Sequence, residues 1–346
     1  MFKRCEQNPI ISPADVKPST EGYQVLGAFN PGAVLYNDEV ILLMRVAESC
    51  VPKEGRVRVP VYRFSRGRGI PEIMEFDAND PDLALKDTRG VVYRGKDYLS
   101  TISHIRIARS RDGINFTVDP KPFIYPCSAA ESYGTEDARI VCINGIFYIS
   151  FSVISVDSWS TALAKTTDFE EIKRLGIIFH PENKDVAIFP EKVKGKYVAL
   201  HRPNNSGFGK ASIWYAESPD LLHWGNHKSI VRPRDTVYEQ MKIGGGSAPI
   251  KTDQGWLSIY HAKGKNSRYS LFGLLLDLEE PWKVIKQGTT PLMEPEFKYE
   301  TTGFFGNVIF TNGAVIKDGE LFMYYGASDE TCCLAVSSVE DILSSF

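Results

Sequence analysis

A turn signal followed by a short alternating strand of β-branched and aromatic residues occurs five times in this 346-residue chain. The turns are Asn37-Asp38, Asn144-Gly145, Lys194-Gly195, Gln254-Gly255 and Asp318-Gly319. The strands on them read DEVILLMRV, GIFYISFSV, GKYVALHRP, GWLSIYHAK and GELFMYYGA. Alternation after such a turn is the pattern of a β-hairpin. Each hairpin is followed by a further apolar strand that runs into a polar turn: IRIARSRDGINF, TALAKTTDFEEI, SIWYAESPDLLHW, LFGLLLDLEEPW and LAVSSVEDIL. Taking Ser110, Thr167, Pro219, Leu278 and Val339 as equivalent points, the spacings are 57, 52, 59 and 61 residues. A near-constant period of strands alone predicts an all-β, five-bladed β-propeller, one repeat to a blade. A β-sandwich would account for the strands but not for the period. A propeller closes on itself, so residues 1–346 are expected to form a single domain. The first blade carries an insertion from about Arg66 to Asp97, rich in Gly, Pro and Asp. The tail SSVEDILSSF predicts a short C-terminal helix capped by Ser337 or Ser338.

The net charge of −3 gives no global field that would recruit nucleic acid or an anionic membrane. An anion can be bound only through a local basic pocket. No run of 18 apolar residues occurs, and no signal-peptide pattern follows the N-terminal Lys3-Arg4 pair. Cys5, Cys50, Cys127, Cys142, Cys332 and Cys333 form no C-x-x-C pair. That is neither a zinc pattern nor a small disulfide scaffold, so free thiols in a reducing cytoplasm are expected. His223 and His227 are four residues apart, but HWGNH reads as a turn rather than a helix, and no metal site is predicted.

In a propeller the innermost strands line a central channel and their ends build the ligand site. The repeats therefore nominate residues that are distant in sequence. The first hairpin offers Asn30 and Arg45, the second Asp137, and the third Lys184, Asp185, His201 and Arg202. The fourth offers Lys242 and His261, and the fifth Asp329. One charged residue at a strand end is a common surface feature; one at a similar phase in every repeat points to convergence. Arg202, Lys242 and His261 together would attract an anion, and the planar fork of arginine suits phosphate. Asp137 and Asp329 suit sugar hydroxyls or proton transfer. Gly244-Gly245-Gly246 after Lys242 reads either as a β-bulge or as a place where backbone approaches a ligand. No Walker loop and no nucleophile elbow is present.

The stretches FNPGAV with LLMRVAE, EDARI, NKDVAIFPEKVKGKYVALHRP, SPDLLHWGNH, KIGGG with GWLSIYHAK, and GFFGNVIFTNGAVIKDGELFMYYGASD resemble glycoside hydrolase family 130. The likeness runs in order from about Asn8 to Asp341. It is strongest to members acting on β-1,2-mannobiose or short β-1,2-mannan. The resemblance implies a five-bladed propeller and an inverting β-mannoside phosphorylase that releases α-mannose 1-phosphate. It places the catalytic aspartate on Asp137 and the phosphate ligands on Arg202, Lys242 and His261, with Lys184 beside them. Substrate-binding positions fall on Asn30, Arg45 and Asp329, to which the repeats add Asp185 and His201. Members that take mannosyl-glucose substrates have Arg-Asn where this chain has Lys184-Asp185. Hydrolytic members carry acids where Lys242 and His261 stand.

The chemistry accounts for these residue types. A glycosidic oxygen leaves only when protonated, so one carboxyl must give it a proton as the bond breaks. An inverting hydrolase needs a second carboxylate to activate water; a phosphorylase does not, because phosphate arrives as an anion and has only to be held. Three cations would offset its desolvation. Tyr133, Trp159, Tyr260, Phe304 and Phe305 are candidate platforms for a sugar ring, with Tyr133 placed among the substrate-binding residues. Arg139 is expected to pair away from Asp137, with Glu136. The rival readings are a β-mannoside hydrolase using Asp185 or Glu191 as base, and a carbohydrate-binding propeller without catalysis. No cofactor is expected beyond inorganic phosphate as co-substrate. The sequence leaves open whether copies of the chain associate.

Overall fold

A computed structural model describes residues 2–87, 90–204 and 207–346, and it is all-β with two short α-helices, Lys298–Thr301 and Val339–Ser344. Strands Tyr23–Tyr36 and Glu39–Cys50 form a hairpin that continues into Ile102–Ser110 and Thr117–Val118. A single parallel contact, Gly134 with Ser103, joins this sheet to Gly134–Ile143, Ile146–Ile154, Trp159–Thr166 and Lys173–Phe179, which pair antiparallel in that order. Next comes the sheet Asn183–Ile188, Tyr197–Pro203, Ile213–Ser218, Gly225–Val231. It is followed by Lys242–Gly245, Gly255–Lys263, Tyr269–Leu276, Val284–Gln287. In the last sheet, Ile309–Lys317, Glu320–Ala327 and Thr331–Ser337 are completed by the N-terminal strand Lys3–Arg4.

The hairpins form where the turn residues place them. Asn37-Asp38, Asn144-Gly145, Lys194-Gly195 and Asp318-Gly319 all take left-handed backbone angles at both positions, the geometry of a two-residue hairpin turn. The alternation then buries one face of each strand against a neighbouring sheet. Ile41, Leu43, Ile105, Ile140, Ile149 and Phe151 share one such core layer. Leu257, Leu271, Met323, Tyr325, Ile342 and Leu343 share another, which docks the C-terminal helix. Ser338 caps that helix, its Oγ accepting from the Asp341 amide at 3.0 Å.

Between Glu39–Cys50 and Ile102–Ser110 the chain forms two small sheets of its own, starting before the Arg66 boundary expected from the sequence. Arg56–Ser65 pairs with Arg68–Asp77, and Leu83–Asp87, Gly90–Tyr93 and Lys96–Leu99 form a small sheet of their own. Glu39–Cys50 pairs directly with Ile102–Ser110, so the whole stretch 56–99 stands outside the main sheets. Residues 88 and 89, within the expected insertion, lie outside the described residues.

The chain ends are tied by a buried carboxylate. Glu300 is fully buried and accepts from Arg4 Nε at 2.7 Å, from the Tyr325 hydroxyl at 2.8 Å and from the Glu296 amide at 2.7 Å. Tyr325→Phe removes one donor to a charged group without changing shape, and is expected to lower stability by about 1.5–3 kcal/mol. Urea unfolding against the wild type measures this; an unchanged midpoint would show that the other donors suffice.

All the main sheets except that of Lys242–Gly245 also share a device that aims side chains. In their first strands the pairing register slips between Phe29 and Gly32, between Glu136 and Arg139, and between Lys184 and Ala187. At each slip the residue turned out of the ladder, Asn30, Asp137 or Asp185, has a left-handed φ of 49, 52 or 57°. Asn and Asp are the non-glycine residues that tolerate this region best, and a bulge of this kind re-aims a side chain. The last sheet slips at the same phase, between Thr311 and Gly313, around Asn312.

Candidate active site

These bulges open on one cavity of about 600 Å³, which Asn30, Arg45, Asp137, Lys184, Asp185, Arg202, Lys242, His261 and Asp329 all line. Nine of the residues nominated from the sequence are thus brought together from five separate repeats.

One side of the cavity is acidic. Asn30 Nδ2 donates to Asp137 Oδ1 at 3.0 Å. Arg45 lies 2.7 Å from Glu136 Oε1 and 3.8 Å from Asp137 Oδ1, with its guanidinium 4.9 Å over the Phe29 ring. Lys184 Nζ sits 3.3 Å from Glu136 Oε2. Burial works against the Glu136 charge, but Arg45 and Lys184 hold its carboxyl below the ordinary range. Asp329 has the opposite balance. Burial foremost, with the charges of Asp137 and Glu136, outweighs Arg45 and Lys242 and pushes its carboxyl up to about 6.

The other side is organised around Asp185. Its Oδ1 accepts from Arg139 Nη2 at 3.1 Å, and its Oδ2 lies 2.6 Å from Arg202 Nε and 3.4 Å from His261 Nε2. Burial opposes this charge too, but Arg202 foremost and Arg139 hold the carboxyl well below its ordinary value. Arg139 is fixed further by donating to the carbonyls of Gly246 at 2.7 Å and Gly245 at 2.8 Å. Among the described residues, Arg202 Nη1 and His261 Nδ1 are buried without a hydrogen-bond partner. Arg202 Nη1 is a donor, and an orphaned donor at a cavity wall is what an anion would satisfy.

Several expectations need correction. Arg139 pairs with Asp185, not Glu136, because the bulge at Asp137 takes the two residues out of simple alternation. His261 is not a third cation: burial first, with Arg202, Lys242 and Arg139 and against the pull of Asp185, pushes its imidazole well below the ordinary value. The triple glycine is not a bulge, since Lys242–Gly245 pairs in unbroken register. A side chain at Gly244 would instead collide with Asp185 Oδ2 and the His261 ring. His201 stands apart from Asp137. Its neighbour Arg202 faces the cavity, and alternation turns His201 the other way, against Asn183, His227 and the Phe179 ring. Tyr133 lies outside the cavity lining and donates to the Asp97 carbonyl at 2.9 Å. Glu191 is on the surface, paired with Lys251. His223 turns to Asp220 while His227 meets His201, so the pair converges on no common point.

Of the platform candidates, Trp159 and Phe305 line the cavity, with Phe304 edge-on to Phe305. Tyr260 is core, its hydroxyl donating to Glu239. Asn204, Lys263, Ser267, Tyr269 and Phe310 also line the cavity and were not nominated from the sequence. Strand alternation held a signal for two of them. Lys263 is two residues past His261, and Tyr269 is its cross-strand partner. Asn312 was missed as well; its amide donates to the Asn30 carbonyl at 3.0 Å and so braces the bulge from the last sheet.

Lys242 is the group most exposed to pH. Burial foremost, with Arg202, Lys263 and Lys184, pushes its ammonium down to about 7 against the pull of Asp185. Above that pH the lysine loses its charge, so anion affinity at this site should fall as pH rises from 6 to 8. Lys242→Arg keeps its charge throughout. The ratio of variant to wild-type anion affinity should therefore rise across that range, which also cancels the titration of phosphate itself. A constant ratio would show that Lys242 stays charged.

A family model described as beta-1,4-mannooligosaccharide phosphorylase, glycoside hydrolase family 130, matches residues 85–346. A beta-1,2-mannobiose phosphorylase of Listeria innocua is 44% identical over 345 residues, spanning 98% of this chain and 97% of that protein. A 1,2-beta-oligomannan phosphorylase of a Thermoanaerobacter species is 38% identical over 261 residues, 73% of this chain and 86% of its own. The structure of the Listeria innocua beta-1,2-mannobiose phosphorylase in complex with beta-1,2-mannobiose superposes with a TM-score of 0.93 at 43% identity, covering 99% of this chain and 98% of that one. On the family model and these relatives together, the chain belongs to glycoside hydrolase family 130.

Proposed function

We propose that this protein is an inverting phosphorylase of β-1,2-linked mannosides, converting β-1,2-mannobiose or a short β-1,2-mannooligosaccharide and inorganic phosphate into α-mannose 1-phosphate and the shortened sugar. The names of the relatives support the linkage and the reaction, although the family model carries a β-1,4 description. The main sheets are read as five blades around the cavity, with 56–99 inserted in the first, and residues 1–346 as one catalytic domain.

The observation that carries the reading is the two-sided cavity. Asp137 and Asp329 stand on one wall, and the other holds a fixed guanidinium with an unused donor beside the His261 imidazole. Asp137 gives its proton to the glycosidic oxygen as the C1–O bond breaks. A phosphate oxygen bonds to C1 from the opposite face, so a β-linkage becomes an α-phosphate. In reverse, the Asp137 carboxylate takes the proton back from the acceptor hydroxyl. Arg202, Lys242 and His261 hold the phosphate, with Lys184 near. Asp185 acts through them as a positioning residue rather than as a substrate ligand, because both of its oxygens are engaged by cations. Asn30, Arg45 and Asp329 hold mannosyl hydroxyls. No cofactor is needed, since phosphate is the co-substrate.

A hydrolase on the same scaffold would need a base. Asp185, locked between Arg139 and Arg202 and held strongly ionised, is a poor one, and Glu191 is remote. Incubation with β-1,2-mannobiose should yield α-mannose 1-phosphate and mannose with phosphate, and nothing without it. Free mannose alone, at full rate in phosphate-free buffer, would replace phosphorolysis with hydrolysis.

A further inference from the structure

A second cavity lies beside the one that holds Asp137. It measures about 1280 Å³, beyond the roughly 300–1,000 Å³ usual for one small-ligand pocket. Phe179, Trp214, Trp224, His201, His227 and Phe208 are among its walls, and none of these lines the first cavity.

The two cavities share one partition. Asn183 faces the second and Lys184 the first; His201 faces the second and Arg202 the first; Ser158 and Ser160 face the second and Trp159 the first. Asn204, in the first, donates through Nδ2 to Glu182 Oε2, in the second, at 3.0 Å. The hairpin that presents the phosphate-side residues is thus the wall of a second chamber, and the chambers meet at its end, where Asn183 pairs with Pro203.

The second chamber has the chemistry of a neutral polyol site. Aromatic rings offer faces for the C–H surface of a sugar. Trp214 and Trp224 are partly open and Phe208 is 86% exposed, so these rings are accessible to a ligand in the chamber. Imidazole, amide and hydroxyl groups supply the hydrogen bonds. His201 Nε2 meets His227 Nδ1 at 3.1 Å, and burial keeps His201 uncharged. Lys210 shares the lining with Asp157 and Glu182, so the charged side chains there do not add up to a cationic cluster that would select an anion.

We propose that this chamber is a subsite for the outer residues of a longer β-1,2-mannooligosaccharide whose terminal linkage lies at Asp137. This rests on the phosphorylase reading given above. It makes the partition a saddle over which the sugar chain passes, and it makes chain-length preference a property of the second chamber.

The test is phosphorolysis of β-1,2-mannobiose and β-1,2-mannotetraose by wild type, Phe208→Ala and Trp214→Ala. Phe208→Ala removes an exposed ring and leaves folding untouched. For the tetraose, kcat/KM should fall about tenfold in each variant, while the value for mannobiose stays within about twofold. Equal losses on both substrates, or no loss on the tetraose, overturn the proposal and leave the phosphorylase reading standing. A wild type that turns over neither sugar with phosphate removes that reading and this one with it.

Discussion

Asp137→Asn is expected to lower kcat for β-1,2-mannobiose by about 100- to 10,000-fold, the range general acid catalysis contributes. The change is nearly isosteric. Asn30 can still donate to Oδ1, Arg45 keeps Glu136, and the left-handed angle of 52° suits asparagine as well as aspartate. Structure and mannoside binding should persist, and the loss should lie in the proton. The informative control is Asp329→Asn, because Asp329 also lines the cavity and its carboxyl is pushed up to about 6. It should raise KM for the mannoside more than it lowers kcat. The reverse pattern, with Asp137→Asn keeping a tenth or more of kcat and Asp329→Asn losing it, would transfer the acid role to Asp329.

Arg202→Ala should act twice. It removes the guanidinium that faces the cavity, and it leaves Asp185 buried with Arg139 as its remaining close cation. Truncating one partner of such a pair costs about 2–5 kcal/mol in binding and about 3–5 kcal/mol in stability. KM for phosphate should rise steeply while that for mannoside moves little, and the denaturation midpoint should drop. Adding Asp185→Asn separates the effects. With the orphaned charge gone, stability should return toward wild type, but phosphate use should not. Recovery of both would mean that Asp185, not Arg202, governs the site.

The period of the repeats and the turn dipeptides made the strand order legible, because hairpin geometry is set locally by residues such as Asn37-Asp38 and Asn144-Gly145. Convergence of Asn30, Asp137, Arg202, Lys242 and His261 followed from their common phase. The pairings inside the site were not legible. That Arg139 reaches Asp185 depends on a register slip that shifts the alternation, and a slip leaves only a faint mark in sequence. That His201 and Arg202 serve different chambers was open to alternation alone, yet both had been assigned to one site because they are polar neighbours. The neutrality of His261 is a consequence of burial beside three cations, which no single segment encodes. Tyr133 was nominated by aromatic character, and nothing local distinguishes a ring that stacks on sugar from one that ties down an adjoining segment.

The left-handed slots at Asn30, Asp137 and Asp185 restrict how such a scaffold can be retuned. A residue there must accept a φ near +50°, which admits asparagine, aspartate or glycine cheaply and penalises branched or bulky side chains. Each slot can therefore carry an amide, a carboxylate or nothing, and at the neighbouring Gly244 the crowding by Asp185 and His261 leaves room for nothing. Variation that brings new chemistry to this architecture should consequently accumulate one strand over, at positions such as 202 and 261, where ordinary extended backbone accepts any side chain.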